Sequence, residues 1–468
     1  MSFRKLQSVN PVPERDRSPF KDKEIPNTPL NPHLKYALFV FVFLSIWFFI
    51  LFFWFPPTTK TTAFVQDDHL DPHDHSKLPV CDGSVSVYVY ELPAKFNFGL
   101  LEDCRHLNIY TDMCPHVSNR GLGQPLVDMG SSWFATHQFI AEMIFHARVE
   151  NHPCRTWDPN QATLFYIPFY GGLHASSKFR EPDLALRDKL AIELSEHLMQ
   201  QPWWERNHGR DHFLALGRTA WDFMRNDGAT DFGANCLLNL PLVKNMSVLT
   251  VERHPWQGSN QHGIPYPSYF HPSTSTDMVM WQNRMRQSKR PHLFSFVGAP
   301  RTGVQKAAVR DEILKQCDES TRCHLLKCGR GASKCHNPID VLGVMSGSQF
   351  CMQAPGDSFT RRSTFDSVLA GCIPVFFSPH TAYSQYAWFL PADTSKYSVY
   401  IAEENATRIR IEEELLKIPG EEVERMRSTV IDLIPTLTYG HPNATDIGFR
   451  DAVDVALAEL SKQAQSSK

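Results

Sequence analysis

FCMQAPGDSFTRRSTFDSVLAGCIPVFF, residues 350–377, is the stretch that decides how this chain folds. The apolar run Phe350 to Ala354 is too short for a helix and ends at a turn, so it reads as a buried strand. Pro355-Gly356-Asp357 is turn chemistry, and Asp357 or Ser358 is placed to cap a following helix. That helix should run to Ala370 and stop at Gly371, where a left-handed residue closes helices. Ile373 to Phe377 is the next buried strand, with Pro374 near its start, where the lost N–H does least harm. Strand, turn, helix and strand in this order predict a parallel α/β unit.

The same stretch carries chemistry. Gly356, Asp357, Ser358, Thr360, Arg361, Arg362 and Ser363 fall in the loop and first helical turn. Unpaired N–H groups at a helix start attract anions, and two arginines beside them add fixed positive charge. Asp366 lies one turn beyond Arg362 on the same face, placed to accept hydrogen bonds from a ribose diol. The alternative reading makes the arginines surface charges, with Asp366 paired to one of them. Neither GxGxxG nor GxxxxGK[ST] accompanies the stretch, so a dehydrogenase or P-loop reading lacks its fingerprint.

The whole chain has 468 residues, more than one core accommodates, so two domains are expected. With 42% hydrophobic residues, 21% charged residues and a net charge of −3 it is globular in composition, without the basic excess of a nucleic-acid binder. Residues 1–35 read as a disordered cytoplasmic tail. Residues 36–55, YALFVFVFLSIWFFILFFWF, carry no charge and at 1.5 Å per residue span about 30 Å, a bilayer core. Lys21, Lys23 and Lys35 precede the segment and only Lys60 closely follows it, which predicts a cytoplasmic N-terminus and a lumenal body. One N-terminal span with a large lumenal part is the layout of a type II Golgi membrane enzyme.

All eleven cysteines follow the span, from Cys81 to Cys372, and an oxidising lumen favours disulfides. Cys372 is the expected unpaired thiol. Cys317, Cys323, Cys328 and Cys335 with His336 have the residue types of a zinc site but no CxxC pair, so disulfides are preferred. Residues 56–83 form a polar stem, and the acidic and histidine residues within it read as a solvated linker. Asn245, Asn405 and Asn443 head three glycosylation sequons.

From Ser84 onward the order of elements predicts two α/β domains, 84–272 and 293–468, joined by a linker at 273–292. Strand Val85 to Tyr90 ends at Glu91, the carboxyl end where open sheets bind ligands. Residues 133–148 read as an amphipathic helix, 162–170 as a buried strand and 181–201 as a long helix. Residues 209–218 form a further strand, with Asp211 beside His212 as an acid–base pair or, alternatively, as a loop network. Leu293 to Val297 opens the second domain and leads to Gly298-Ala-Pro-Arg301, where Arg301 can reach a phosphate. Residues 411–460 are mainly helical, a tail expected to pack back across both domains.

Five motifs in order resemble the exostosin-type glycosyltransferase family 47, and among its plant branches the xyloglucan galactosyltransferases: VYVYELPAKFN (87–97), GRDHFLALGRTAWDF (209–223), IPYPSYFHP (264–272), LFSFVGAPR (293–301) and the opening stretch. The resemblance implies a GT-B architecture of two Rossmann-like domains facing a cleft, and inverting transfer from UDP-galactose to a xylose branch of xyloglucan. Relatives use other donors and acceptors, including arabinose, glucuronic acid and mannan; a non-catalytic Golgi scaffold would keep the fold, and a lumenal lectin-like binder would need no nucleotide site. Complexes with other Golgi transferases fit the same address. No Asp-x-Asp triplet occurs in the lumenal part, so no cofactor or metal is expected. Arg301, Arg361, Arg362 and helix amides would offset the leaving diphosphate. The general base is expected from Asp211, His212 or Glu91, and the acceptor against Tyr90, Phe169, Tyr170 or Trp221.

Overall fold

The computed structural model describes residues 40–43, 81, 84–226, 233–301, 303–329, 333–406 and 408–466. Residues Asp71–Lys468 form one compact unit. Of the preceding unit, Met1–Leu70, only residues 40–43 are described; they are helical and exposed. The rest of the predicted span at 36–55 lies outside the described residues. Among these, no helix is long and apolar enough to cross a membrane.

The large unit holds two parallel sheets. In the first, β1 (Val87–Val89), β2 (Arg155–Thr156), β3 (Leu164–Ile167), β4 (His212–Thr219), β5 (Ser247–Glu252) and β6 (Gln261–Gly263) lie in the order β2-β1-β3-β4-β5-β6. In the second, β7 (His292–Gly298), β8 (Cys323–Lys327), β9 (Ser348–Gln353), β10 (Ile373–Phe376) and β11 (Val399–Tyr400) lie in the order β11-β10-β9-β7-β8. Each pairing within them is parallel. Runs such as Leu164–Ile167 and Ile373–Phe376 are buried throughout, as strands covered on both faces must be. Helices α1 (Ala141–Glu150), α2 (Gly171–Lys178), α3 (Leu184–Met199), α4 (Pro202–Asn207), α5 (Ser275–Gln287), α6 (Val309–Glu319), α7 (Pro338–Ser346), α8 (Arg362–Leu369), α9 (Gly420–Asp432) and α10 (Ala452–Ser466) supply the crossovers and the tail.

The opening stretch forms the predicted unit. Phe350 pairs with Ile373 and Gln353 with Phe376, and Gly371 closes α8 at φ +60°. Helix α8 starts later than expected. Its first residue is Arg362, its N-cap position is Arg361, and neither Asp357 nor Ser358 caps it. Asp357 is drawn off by Arg301 instead.

The two sheets are less separate than a two-domain reading implies. One hydrophobic core contains Val87, Phe213 and Val251 from the first sheet and Phe294, Phe350 and Val375 from the second. A second core, with Phe165, Leu214 and Val248, takes its strand residues from the first sheet alone and adds helix residues such as Ala191, Leu194 and Trp204. The Tyr386 hydroxyl donates to Val251 O at 2.6 Å, Gln385 exchanges two hydrogen bonds with the Arg253 backbone at 2.8 and 3.0 Å, and Trp388 stacks on His262 at 4.2 Å.

Residues 273–292, expected as a linker, contain α5, capped by the Thr274 hydroxyl. Its Trp281 indole donates to Leu369 O and its Gln282 amide to Ile431 O, so α5 packs with α8 and α9. The helix predicted at 133–148 begins at Ala141 and is buried on all sides from Ala141 to Val149 rather than amphipathic. Tail helix α10 covers its outer face: Arg148 pairs with Asp451 at 2.8 Å and His152 with Asp454 at 2.8 Å. Ser461 in α10 also donates to Ser84 O, so the C-terminal helix returns to the first sheet.

Five disulfides join Cys81–Cys154, Cys104–Cys114, Cys317–Cys323, Cys328–Cys335 and Cys351–Cys372. Cys372 is therefore paired, contrary to expectation, because β9 and β10 are neighbours and hold its Cα 5.8 Å from that of Cys351. Cys236 is the buried thiol outside the bridges. The thiols weighed for zinc are consumed by two of these bridges. Asn245, Asn405 and Asn443 are exposed.

Candidate active site

Open parallel sheets bind ligands at their carboxyl edge, where the strand order reverses. In the second sheet the reversal falls between β7 and β9. The loops leaving those two strands are Gly298–Arg301 and Ala354–Arg361, the two segments that carry the predicted anion-binding residues.

Three guanidinium groups gather there. Arg301 donates through Nε to Asp357 Oδ1 at 2.8 Å and through Nη2 to Asp357 Oδ2, a two-pronged pair with both side chains about half exposed. Arg361 reaches the same Oδ2 of Asp357 at 3.5 Å and lies over Gly356. A Cβ on Gly356 would stand 1.9 Å from Arg361 Nη2, so glycine is what lets the guanidinium lie flat on the loop. The third is Arg310, in the first turn of α6, which donates to Ala299 O at 3.0 Å, Pro355 O at 2.7 Å and Ala354 O at 3.3 Å. It thereby bridges both loops of the crevice.

Arg310 is pushed down to about 10 by burial and by the charges of Arg361 and Arg301. Burial opposes ionisation of Asp357, but the two arginines outweigh it and hold its carboxyl below the usual range. The guanidinium groups repel one another around a single carboxylate, and an anion placed among them relieves that repulsion. Ser363 lies behind, donating to Gln353 Oε1 at 2.7 Å.

Arg362 and Asp366 are placed differently. The Arg362 side chain is 13% exposed; it donates to Thr136 O at 2.8 Å, lies 3.6 Å above the Tyr269 ring and meets Asp366 at 3.4 Å. Asp366 takes the Ser268 hydroxyl at 2.5 Å, and burial raises its carboxyl above the ordinary value despite Arg362 and Ser268. Each carboxylate oxygen of Asp366 meets a protein donor and its side chain is 5% exposed, so the structure places it in a buried brace. The pair fastens α8 to the segments around Thr136 and Ser268.

Two amides of the loop before α8 are also spoken for. Glu252, the last residue of β5, is fully buried and accepts from Phe359 N at 3.0 Å and Thr360 N at 3.3 Å, with the Ser358 hydroxyl and the Arg361 charge nearby. Burial still raises its pKa. A carboxylate of the first sheet thus holds the loop that leads into α8.

In the first sheet, Asp211 and His212 stand at the amino end of β4, the edge opposite the ligand side. His212 is 1% exposed, stacked 4.7 Å from Phe165, with Nδ1 2.8 Å from Asp211 and Nε2 2.8 Å from the Tyr90 hydroxyl. Asp211 also accepts from Asn207 at 2.5 Å and Arg206 at 3.0 Å. Burial opposes its charge, yet these partners hold its carboxyl at about 2. The structure thus places both residues in a satisfied, buried network at the amino edge of the sheet, away from the carboxyl ends of the strands. Glu91 is different, being exposed two residues past the end of β1, beside the β1–β3 reversal. Of the expected acceptor-stacking aromatics, Tyr90, Phe169 and Tyr170 belong to the core, whereas Trp221 is partly exposed.

Sequence reasoning assigned no role to Glu142, Glu252 or Arg310. Glu142 accepts from Gly172 N and Leu173 N at 2.8 Å and from Gly217 N at 3.0 Å, tying the first turn of α2 to strand β4. Burial raises it to about 7 against those three amides. The one signal available for Glu252 was an acid ending an apolar strand; Arg310 in a polar helix gave none.

Fold and site together define a parallel α/β protein with a cluster of guanidinium groups at the reversal point of its second sheet. The chain belongs to the Exostosin GT47 domain family, which it matches over residues 81–415, as its five motifs had led us to expect. It is 58% identical over 470 residues to a probable xyloglucan galactosyltransferase of Arabidopsis thaliana, GT17, covering 100% of this chain and 99% of that one. The Arabidopsis thaliana xyloglucan galactosyltransferase MUR3 is 44% identical over 390 residues, 82% of this chain and 62% of that one. The xyloglucan-specific galacturonosyltransferase 1 of Arabidopsis thaliana is 42% identical over 412 residues, 87% of this chain and 61% of that one.

Proposed function

We propose that this chain is a glycosyltransferase that moves galactose from a UDP-sugar to a side chain of xyloglucan. Family membership and the names of its relatives support the class of reaction, the acceptor and the sugar. The observation that carries the donor side is the convergence of Arg301, Arg310 and Arg361 at the β7–β9 reversal with Asp357 between them. In this reading the donor diphosphate displaces the Arg301–Asp357 pairing and takes both exposed guanidinium groups. Fixed positive charge of this kind stabilises a leaving diphosphate without a divalent ion. The two sheets act as the halves of a GT-B architecture. Transfer proceeds with inversion, the acceptor hydroxyl losing its proton to Glu91, the exposed carboxylate at the carboxyl end of β1. Residues 36–55 anchor the enzyme in the Golgi membrane, with the body in the lumen.

Calorimetry of UDP binding to the full-length protein in detergent, with a chelator present, tests the donor site. Arg361→Ala and Arg301→Ala should each weaken UDP at least about tenfold, the loss of one charge-assisted contact. Unchanged affinity in both variants would refute the assignment, and UDP binding that needs added metal would refute the metal-free reading. With transfer to xyloglucan oligosaccharide as readout, Glu91→Gln should lower kcat by about a hundredfold or more with donor affinity intact.

A further inference from the structure

Beside the guanidinium cluster, where the loops after β4 and β5 meet the second sheet, lies a group of rings from both halves of the molecule. Trp221, His254 and Trp256 come from the first half, Phe359 and His380 from the second. Trp256 is 65% exposed, an indole held in solvent rather than in a core. Its ring centroid is 5.8 Å from Phe359, 5.1 Å from His380, 5.7 Å from His254 and 6.4 Å from Trp221, each at a steep interplanar angle. Four neighbours fix the orientation of an exposed ring that folding alone does not need. Phe359 is two residues from Arg361, and the Lys306 ammonium, on the same segment as Arg301, lies 5.0 Å from the Phe359 ring.

We infer that Trp256, with Trp221 and Phe359 behind it, is the stacking platform for a neutral pyranose ring of the acceptor oligosaccharide. This rests on the transferase reading above and names the subsite that reading leaves open.

The chemistry of the rim favours a sugar. The C–H face of a pyranose is apolar and its rim is hydroxylated, so it fits an open aromatic face bordered by hydrogen-bonding groups, here two imidazoles and the Lys306 ammonium, which lies 5.8 Å from the Trp221 ring. His254 Nδ1 accepts from the amides of Trp256 and Gln257 at 3.2 and 3.1 Å, so its proton sits on Nε2 as a donor. His380 holds Nδ1 3.3 Å from the Ser384 hydroxyl, leaving Nε2 as its second hydrogen-bonding atom. Burial lowers both imidazoles below their usual value, which keeps them neutral. The principal rival is the uracil ring of the donor. Three of the five rings belong to the first sheet's loops, whereas the guanidinium groups belong to the second, and this division favours the acceptor.

Initial rates with UDP-galactose and a xyloglucan-derived oligosaccharide, on the full-length protein and its Trp256→Ala and Trp256→Phe variants, decide the matter. Trp256→Ala should raise the acceptor KM about tenfold or more while UDP affinity by calorimetry moves less than about twofold. Trp256→Phe should recover most of the acceptor KM, since a flat ring remains. Quenching of tryptophan fluorescence by the oligosaccharide, reduced in Trp256→Phe, reads occupancy without turnover. An unchanged acceptor KM in Trp256→Ala overturns the inference. So does a loss of UDP affinity with acceptor KM intact, which would make the platform a nucleobase site. A wild-type protein that neither binds UDP nor transfers sugar refutes the transferase reading itself, a result separate from either outcome of the variants.

Discussion

At Gly356 and Asp211, single residues show how packing decides what a charge is for. Arg361 lies directly over Gly356, and Gly356→Ala places a methyl where the guanidinium now is. The fold should tolerate the change, because Arg361 is part-exposed and can swing outward, but UDP affinity should fall by about tenfold in calorimetry. Asp211 presents the opposite case. Its carboxylate, held at about 2 by His212, Asn207 and Arg206 against the effect of burial, stabilises the folded state above the unfolded value near 3.8. That contribution is lost as pH falls from about 4 through 2. Asp211→Ala should therefore lower denaturant stability by about 2–4 kcal/mol at neutral pH and flatten its acid limb, with kcat of the folded protein little changed. A selective collapse of kcat with unaltered stability would restore the residue to catalysis. Both residues were conspicuous in the sequence; only one of them turned out to border the ligand side.

Among the elements, the unit β9–α8–β10 was legible in its order and at the stop of its helix, though not at the helix start, since short apolar runs, a Pro-Gly-Asp turn and a terminating glycine are local signals. Its covalent brace was not. Cys351 and Cys372 lie 21 positions apart, and that they bridge depends on β9 and β10 being adjacent in the sheet. Cys372→Ser should cost about 3 kcal/mol from the freed loop, measured by denaturation with the remaining bridges intact. Helix α1 shows the same limit. Its residues were expected to bury one face, but α10, three hundred positions later, covers the other.

Over the whole molecule, the C-terminal helix couples to the first sheet. Arg148 and Asp451 form a fully buried pair whose spare groups are met by Ala444 O and Gly440 N. Burial works against the Asp451 charge, but Arg148 outweighs it and keeps the carboxyl below its ordinary value. Removing one partner strands the other charge, so Asp451→Ala should destabilise by about 3–5 kcal/mol in chemical denaturation. A loss under about 1 kcal/mol would mean the tail is only loosely docked. Local patterns in the amino-acid order determined the parallel α/β architecture, the arginine-bearing loops and the family, because strand length, turn chemistry and helix stops act over a few residues. Tertiary structure alone decided which charges face a ligand and which brace the interior. Arg361 and Arg362 are adjacent in the chain, yet one lies on the anion crevice and the other is sealed between Thr136, Tyr269 and Asp366. The difference is desolvation, which depends on everything packed around a group and on nothing beside it in sequence.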